Sequence, residues 1–234
     1  MHLAILVTNT DESDFAQRHP KDGEKFARLI KNVRPHWRVS SFAVKDDCFP
    51  EDTSDFDGVM ITGSPASIRE DKPWMQRLMQ EIRFLHHART PLFGACFGHQ
   101  AIALALGGQV EENAAGWGFG LIEMSVVDDV PWLDTQDTLL QYGAHIEHVT
   151  KLPEGARVVF TSEHCPVAGF AIADTVYTTQ NHPEMTPDFV LDLVEEYSDL
   201  LPVEVVDQAH TSLTRKAETA RFAESIARFF EAAT

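Results

Sequence analysis

The stretch that most constrains how this chain folds is residues 91–100, PLFGACFGHQ, in which a short apolar run ends in a turn of small residues. The apolar residues 101–106 that follow predict a helix, so the local order is strand, tight turn, helix, with Cys96 at the bend. Gly94 and Gly98 flank Cys96 at the spacing of a G-x-S-x-G nucleophile elbow, where a Cβ would clash with neighbouring backbone. A helix N-terminus stabilises a thiolate through its free N–H groups and its dipole. The stretch predicts a nucleophile elbow, and the alternative is a buried cysteine before an ordinary α/β turn.

The overall composition excludes several kinds of protein. The 234 residues suffice for one large domain, and 44% hydrophobic with 24% charged residues is ordinary for a globular protein. The net charge of −17 argues against nonspecific binding to nucleic acid or to an anionic membrane surface. Three cysteines without a CxxC pair predict a reducing compartment, and no Cys/His cluster has the spacing of a zinc site. With neither a signal peptide nor a run of about 20 apolar residues, we expect a cytoplasmic protein that binds no metal.

The first half of the chain alternates between predicted strands and helices. Apolar or alternating runs predict strands at 3–7, 37–44 and 56–62, and helical spacing predicts helices at 24–33 and from residue 71 onward. The polar residues 8–23 predict a loop after the first strand. After the elbow the pattern changes to short strand-like runs separated by turns, at 120–127, 138–142, 156–160, 166–172 and 175–179. We therefore predict an α/β fold with an open, mixed, mainly parallel sheet flanked by helices and extended by antiparallel strands.

The end of the chain is predicted to be helical. Amphipathic spacing indicates helices at 189–201 and, beyond Pro202, at 205–233. We assign residues 1–186 to the main domain and residues 187–234 to a helical C-terminal extension. We expect the extension to pack on the same domain, and the alternative is that it covers a partner surface. A homodimer contact would lie on the exposed faces of the last two helices.

Two further motifs stand at predicted strand ends, where ligand sites of open α/β sheets gather. Gly63 begins a small-residue loop and could offer its backbone N–H to an oxyanion, although the loop taken alone is better explained as a plain turn between a strand and a helix. His182 is predicted to end a strand, and Pro183 holds the chain extended before Glu184. A histidine with a nearby carboxylate suits a general base and its orienting group. Eleven histidines make such a neighbour common by chance, so the pair is weak on its own.

Three motifs together closely resemble those of the class I (triad-type) glutamine amidotransferases. They are the glycine loop at Gly63, the elbow GACFGHQ, and the His-Pro-Glu of residues 182–184. That family's elbow reads G-x-C-x-G-x-Q and its triad closes with H-x-E. The resemblance implies a flavodoxin-like fold for residues 1–186, with Cys96 as nucleophile, His182 as base and Glu184 as the group that orients it. It also implies an oxyanion site at the backbone N–H groups of Gly63 and Phe97, and no metal or organic cofactor.

The same resemblance assigns residues to the substrate pocket. Gln100, one helical turn after the nucleophile, would help to fix the substrate. Residues 144–149, AHIEHV, are similar to the S-H-x-D-x-V segment that lines the family's glutamine pocket, with Ala144 in place of the serine and Glu147 in place of the aspartate. Backbone contacts from Ala144 and Ile146 would survive that change, whereas the two replacements leave open how side chains recognise the amino-acid part of the substrate.

Within the superfamily, the chain is most similar to free-standing GMP-synthase-like amidotransferases and to plant γ-glutamyl peptidases. The implied activity is cleavage of a γ-glutamyl amide such as glutamine through a thioester, with release of ammonia or an amine. Three possibilities stay open: a glutaminase that supplies a separate synthetase subunit, a stand-alone γ-glutamyl hydrolase acting on another substrate, and a non-catalytic regulatory protein. No nucleic acid or membrane is expected among its partners.

Overall fold

The computed structural model describes residues 1–134 and 137–233. The strands are β1 His2–Val7, β2 Arg38–Ala43, β3 Gly58–Ile61, β4 Leu92–Ala95, β5 Gln109–Glu112, β6 Gly118–Val126, β7 Thr138–His145, β8 Glu147–Lys151, β9 Ala156–Ser162, β10 Cys165–Ile172 and β11 Val176–Thr179. The helices are α1 Asp14–Arg18, α2 Asp22–Val33, α3 Pro73–His87, α4 Phe97–Ala105, α5 Pro187–Tyr197, α6 Val203–Ser212 and α7 Thr219–Ala232. None of the helices within these ranges combines the length and apolar character needed to cross a membrane.

Nine of the described strands form one sheet, in the order β2-β1-β3-β4-β11-β10-β9-β6-β7. The five strands from β2 to β11 run parallel, and the remaining strands pair antiparallel. The parallel part has the doubly wound 2-1-3-4-5 order of flavodoxin-like folds. This arrangement confirms the predicted α/β fold with an open, mixed, mainly parallel sheet. A second sheet, formed by β5 and β8, was not predicted.

Hydrophobic cores lie on both faces of the sheet, because successive side chains of a strand point to opposite sides. In β1, Leu3 and Ile5 pack with α2 and α7, whereas Ala4 and Leu6 pack with α3 and α4. A third cluster joins α1, α5 and α6 to the start of β6. The parallel strands are therefore buried on both sides, and their carboxyl ends are held in fixed positions.

The C-terminal helices differ from the prediction in one respect. A single last helix at 205–233 is wrong, because α6 ends at Ser212 and α7 begins at Thr219. Between them the backbone N–H of Glu218 donates to the Leu140 carbonyl at 2.9 Å, and the Glu218 carboxylate accepts from the Leu140 N–H at 2.9 Å. This contact with β7 outweighs local helical preference. Helix α7 packs in the core beside α2, and α5 and α6 pack in the third cluster.

Two smaller predictions were also wrong. Residues 8–23, predicted as a loop, contain α1 and the start of α2, with Ser13 capping α1 and Phe15 buried beneath it. The strand predicted to end at His182 ends at Thr179. His182 instead forms an isolated bridge in which its N–H donates to the Tyr142 carbonyl at 2.7 Å.

Candidate active site

Cys96 lies between the carboxyl end of β4 and the first residue of α4, with φ 49° and ψ −107°. A non-glycine residue in the left-handed region costs on the order of 1–3 kcal/mol and persists only where its surroundings impose it. Two glycines make the bend sterically feasible. A Cβ on Gly94 would lie 2.6 Å from the Gly98 carbonyl carbon, and one on Gly98 would lie 2.5 Å from the Ile61 oxygen. The elbow therefore requires both glycines, and it places the thiol at the N-terminus of α4.

His182 and Glu184 form a buried pair beside Cys96. The Nδ1 atom of His182 lies 2.8 Å from Glu184 Oε1, and the two side chains are 7% and 1% exposed. Burial by itself lowers the pKa of His182, but the neighbouring Cys96 and Glu184 charges outweigh it and hold that pKa well above its usual range. The arrangement therefore favours a protonated imidazole at neutral pH.

Gly63 determines how closely His182 can approach the elbow. A Cβ at Gly63 would lie 2.6 Å from His182 Cε1 and 3.6 Å from the Cys96 Cβ, so only glycine leaves room for the imidazole. The Gly63 carbonyl accepts from the hydroxyls of Thr8 and Thr62 at 3.0 and 3.1 Å, which fixes the loop. Within the described residues, the hydrogen bonds leave the backbone N–H of Gly63 unused.

A second unused donor lies on the other side of the thiol. The N–H of Phe97 belongs to the first turn of α4, where backbone donors have no partner inside the helix, and no described residue accepts from it. The N–H groups of Gly63 and Phe97 thus stand at the loop and the helix that flank Cys96, and both are free to donate to a ligand.

A chain of amides connects the pocket to the thiol. Gln100 Nε2 donates to the Glu147 carbonyl at 2.9 Å and to Gln180 Oε1 at 3.3 Å, and Gln180 Nε2 lies 3.8 Å from Cys96 Sγ. The amide nitrogen of Gln100 is thus occupied by pocket residues, although its side chain lines the cavity. Gln180 was missed by the sequence prediction, since a glutamine two residues before a histidine carries no chemical signature.

The segment of residues 144–147, which spans the end of β7 and the start of β8, forms a wall of the same cavity. Ala144 and Ile146 both line it, and the Ile146 carbonyl already accepts from the Asn113 N–H at 2.7 Å. Glu147 accepts from the Ser67 hydroxyl and from Arg69 Nε, each at 2.7 Å. These bonds tie the segment to the loop after Gly63.

The other buried histidines near the elbow are unsuited to act as bases. Burial lowers the pKa of His99 to about 3, with His145 adding to the effect. Burial, together with the charge of His182, also lowers the pKa of His145 to about 3. His99 Nδ1 is bonded to the Thr178 hydroxyl at 2.8 Å. His182 is therefore distinguished from both by its raised pKa.

The cavity over Cys96 and His182 has a volume of about 260 Å³. Its lining combines a polar wall, which includes Ser67, Gln100 and Glu147, with a mainly apolar part that is bordered by Asn9, Asp11, Asp22 and Lys25. The apolar side chains are Phe15, Trp117, Phe119, Met185, Phe189, Leu193 and Tyr197. Among the described residues, no group of three or more His, Cys, Asp or Glu side chains is arranged to hold a metal ion.

A doubly wound sheet with a cysteine in a sharp strand-to-helix turn after its fourth parallel strand defines the class: an α/β protein with its cavity at the carboxyl ends of the parallel strands. A sequence model of the glutamine amidotransferase class-I family matches residues 24–189, and the chain belongs to that family.

The relatives include both hydrolases and amidotransferases. The chain is 30% identical over 183 residues to gamma-glutamyl peptidase 3 of Arabidopsis thaliana, which covers 74% of each protein. It is 28% identical over 181 residues to the glutamine-hydrolyzing GMP synthase of Legionella pneumophila (strain Lens), covering 69% of this chain and 33% of the synthase. The match thus spans only about a third of the synthase. A solved glutamine amidotransferase from Thermotoga maritima has the same fold, with a TM-score of 0.77, 19% identity and 98% of both chains covered.

Proposed function

We propose that this protein is a cysteine-nucleophile amidohydrolase that cleaves a γ-glutamyl amide through Cys96, His182 and Glu184. The observation that carries the proposal is the buried His182–Glu184 contact of 2.8 Å beside the elbow thiol, with the pKa of His182 raised. An imidazolium so placed pairs with a thiolate, which is the nucleophilic form of cysteine. Family membership and the γ-glutamyl peptidase relative support the choice of bond.

The nitrogen of His182 that Glu184 does not hold determines how acylation proceeds. Glu184 holds His182 Nδ1, so Nε2 is the nitrogen left to exchange a proton with Cys96 and with the leaving group. The thiolate attacks the γ-carbonyl carbon, and the carbonyl electrons move to an oxyanion. The N–H groups of Gly63 and Phe97 donate to that oxyanion.

The same groups complete acylation and then carry out deacylation. The tetrahedral intermediate collapses, the C–N bond breaks, and His182 Nε2 gives its proton to the departing ammonia or amine. Neutral His182 then takes a proton from water, which attacks the γ-glutamyl thioester. The second collapse releases glutamate and restores the ion pair of Cys96 and His182. No step requires a metal or an organic cofactor.

The polar part of the cavity is the proposed site of the glutamyl group. A glutamyl α-carbon carries an ammonium and a carboxylate, which need polar partners when they are buried. Gln100 holds this wall in place through Glu147, and Ala144 and Ile146 contribute its backbone. The Glu147 carboxylate is tied to Ser67 and Arg69, so the wall is rigid before substrate binds.

The direct test is hydrolysis of glutamine and of a panel of γ-glutamyl amides by the purified chain, with ammonia or amine release as the readout. Cys96→Ser should abolish turnover, because a serine hydroxyl next to an imidazolium is a far weaker nucleophile. Cys48→Ser is the matched control, since Cys48 is exposed and should be silent. Full turnover by Cys96→Ser would refute the mechanism.

A second candidate is the same half-reaction in the service of a separate synthetase subunit that consumes the ammonia. The similarity to one third of a GMP synthase favours it. A subunit of that kind would be nearly inactive alone and would gain glutaminase activity when its partner is added. A stand-alone hydrolase would turn over without any partner, and a regulatory protein would show no turnover in either condition.

A further inference from the structure

We propose that the apolar part of the cavity is a subsite for the leaving amine, so that the preferred substrate is the γ-glutamyl amide of an apolar amine rather than glutamine. The inference rests on the proposed function and specifies its substrate class. It follows from the position of His182, the proton donor, and from the apolar side chains that line the cavity beside it.

The leaving amine must lie on the side of His182, because His182 Nε2 delivers its proton. From His182 the chain continues through Met185 into α5, whose Phe189 and Leu193 also line the cavity. The group attached to the departing nitrogen therefore meets this apolar wall. The polar wall of Ser67, Gln100 and Glu147 remains for the glutamyl group.

The apolar wall is a continuous structure assembled from separate parts of the chain. Phe15 comes from α1 and lies 5.7 Å from Phe189, measured between ring centroids. Trp117 lies immediately before β6 and Phe119 lies within it, and the Phe119 ring centroid is 6.3 Å from that of Tyr197 in α5. These residues belong to the third hydrophobic cluster. Their cavity-facing surface is apolar area that a ligand would remove from water.

Three charged side chains border this wall: Asp11, whose carboxylate accepts from the Ser13 N–H at 2.9 Å, and the buried pair of Lys25 and Asp22. Lys25 Nζ lies 3.0 Å from Asp22 Oδ1 and 3.6 Å from the centroid of the Phe189 ring, and Asn9 Nδ2 donates to Asp22 Oδ2 at 2.7 Å. Both side chains of the pair are about one-tenth exposed or less. A compensated pair of this kind supports the wall and does not demand an ionic partner from the ligand.

Glutamine would leave this wall without a partner, because its leaving group is ammonia. An alkyl group on the nitrogen would instead bury apolar surface. Each methylene that moves out of water should raise kcat/KM by about fourfold. An n-butylamide has about three more methylenes than a methylamide, so its kcat/KM should be about sixtyfold higher if the butyl group is fully buried. Methylamine and n-butylamine have similar basicity, so the chemical step is matched.

The experiment measures kcat/KM for the γ-glutamyl methylamide and n-butylamide with the full chain. We expect a ratio of at least about tenfold in favour of the n-butylamide. Phe189→Ala should lower that ratio severalfold, and Leu193→Ala provides a second, smaller truncation if the first variant does not fold. Phe84→Ala is the matched control, because Phe84 is 56% exposed on α3 and should keep the wild-type ratio.

The outcomes separate the two proposals. Equal kcat/KM for the two amides, with turnover still dependent on Cys96, would overturn the subsite and leave the proposed function standing. A high ratio that both Phe189→Ala and Leu193→Ala leave unchanged would overturn the assignment of the subsite to this wall. Absence of Cys96-dependent hydrolysis of every γ-glutamyl amide would overturn the proposed function and this inference with it.

Discussion

Replacing Gly63 by alanine should disable the site without removing any proposed catalytic group. The backbone at Gly63 lies outside the left-handed region, so alanine can adopt it, and the N–H of residue 63 is retained. The added Cβ would lie 2.6 Å from His182 Cε1, where ordinary contact begins near 3.4 Å, so the ring must move by about 0.8 Å. A displacement of about 1 Å in a catalytic group costs on the order of 100-fold in rate. We expect kcat/KM for a γ-glutamyl amide to fall by about that factor.

The matched control is Gly58→Ala, at the start of β3, the strand that leads into the Gly63 loop. Its Cβ would lie 2.5 Å from the Phe230 ring, so the substitution crowds the core as severely but far from Cys96. Gly58→Ala should lower Tm and leave kcat/KM per folded molecule near the wild-type value. Thermal unfolding and active-site titration separate the two effects. Activity of Gly63→Ala within twofold of wild type would refute the idea that His182 needs the space left by glycine.

Two further predictions concern the groups around the thiol. Glu184→Gln keeps an acceptor for His182 Nδ1 but removes a charge that raises the pKa of His182, so kcat/KM should fall by about 100-fold and the alkaline limb of the pH–rate profile should move to lower pH. An unmoved alkaline limb would show that Glu184 does not set that pKa. Gln180→Leu removes a donor 3.8 Å from Cys96 Sγ and should slow alkylation of Cys96 by about tenfold, whereas an unchanged alkylation rate would exclude that contact.

The fold was predictable where local pattern and tertiary packing agree. The buried parallel strands read as apolar runs, and the glycines around Cys96 signal a turn whose sterics are local. The elements that were missed depend on distant partners. Helix α1 has five residues and one buried side chain, Phe15, and β8 alternates too weakly to stand out before it pairs with β5.

The same distinction applies to the site. His182 could be named from its motif, but its position relative to Cys96 depends on Gly63, on β11 lying beside β4, and on the bridge to Tyr142. Gln180 could not be found, because its role comes from two contacts across the fold and not from its side-chain chemistry. The break in the C-terminal helices has the same origin, in the bonding of residue 218 to β7.

Covalent trapping tests most directly whether Cys96 is the nucleophile of a γ-glutamyl site. The folded chain is incubated with a chloroketone analogue of glutamine and mapped by mass spectrometry. We expect one adduct, on Cys96, which a γ-glutamyl amide suppresses by competition. The exposed Cys48 reports nonspecific alkylation, and burial raises the pKa of Cys165 to about 12, which keeps that thiol unreactive. An unmodified Cys96 after long exposure, or an adduct confined to Cys48, would contradict that role.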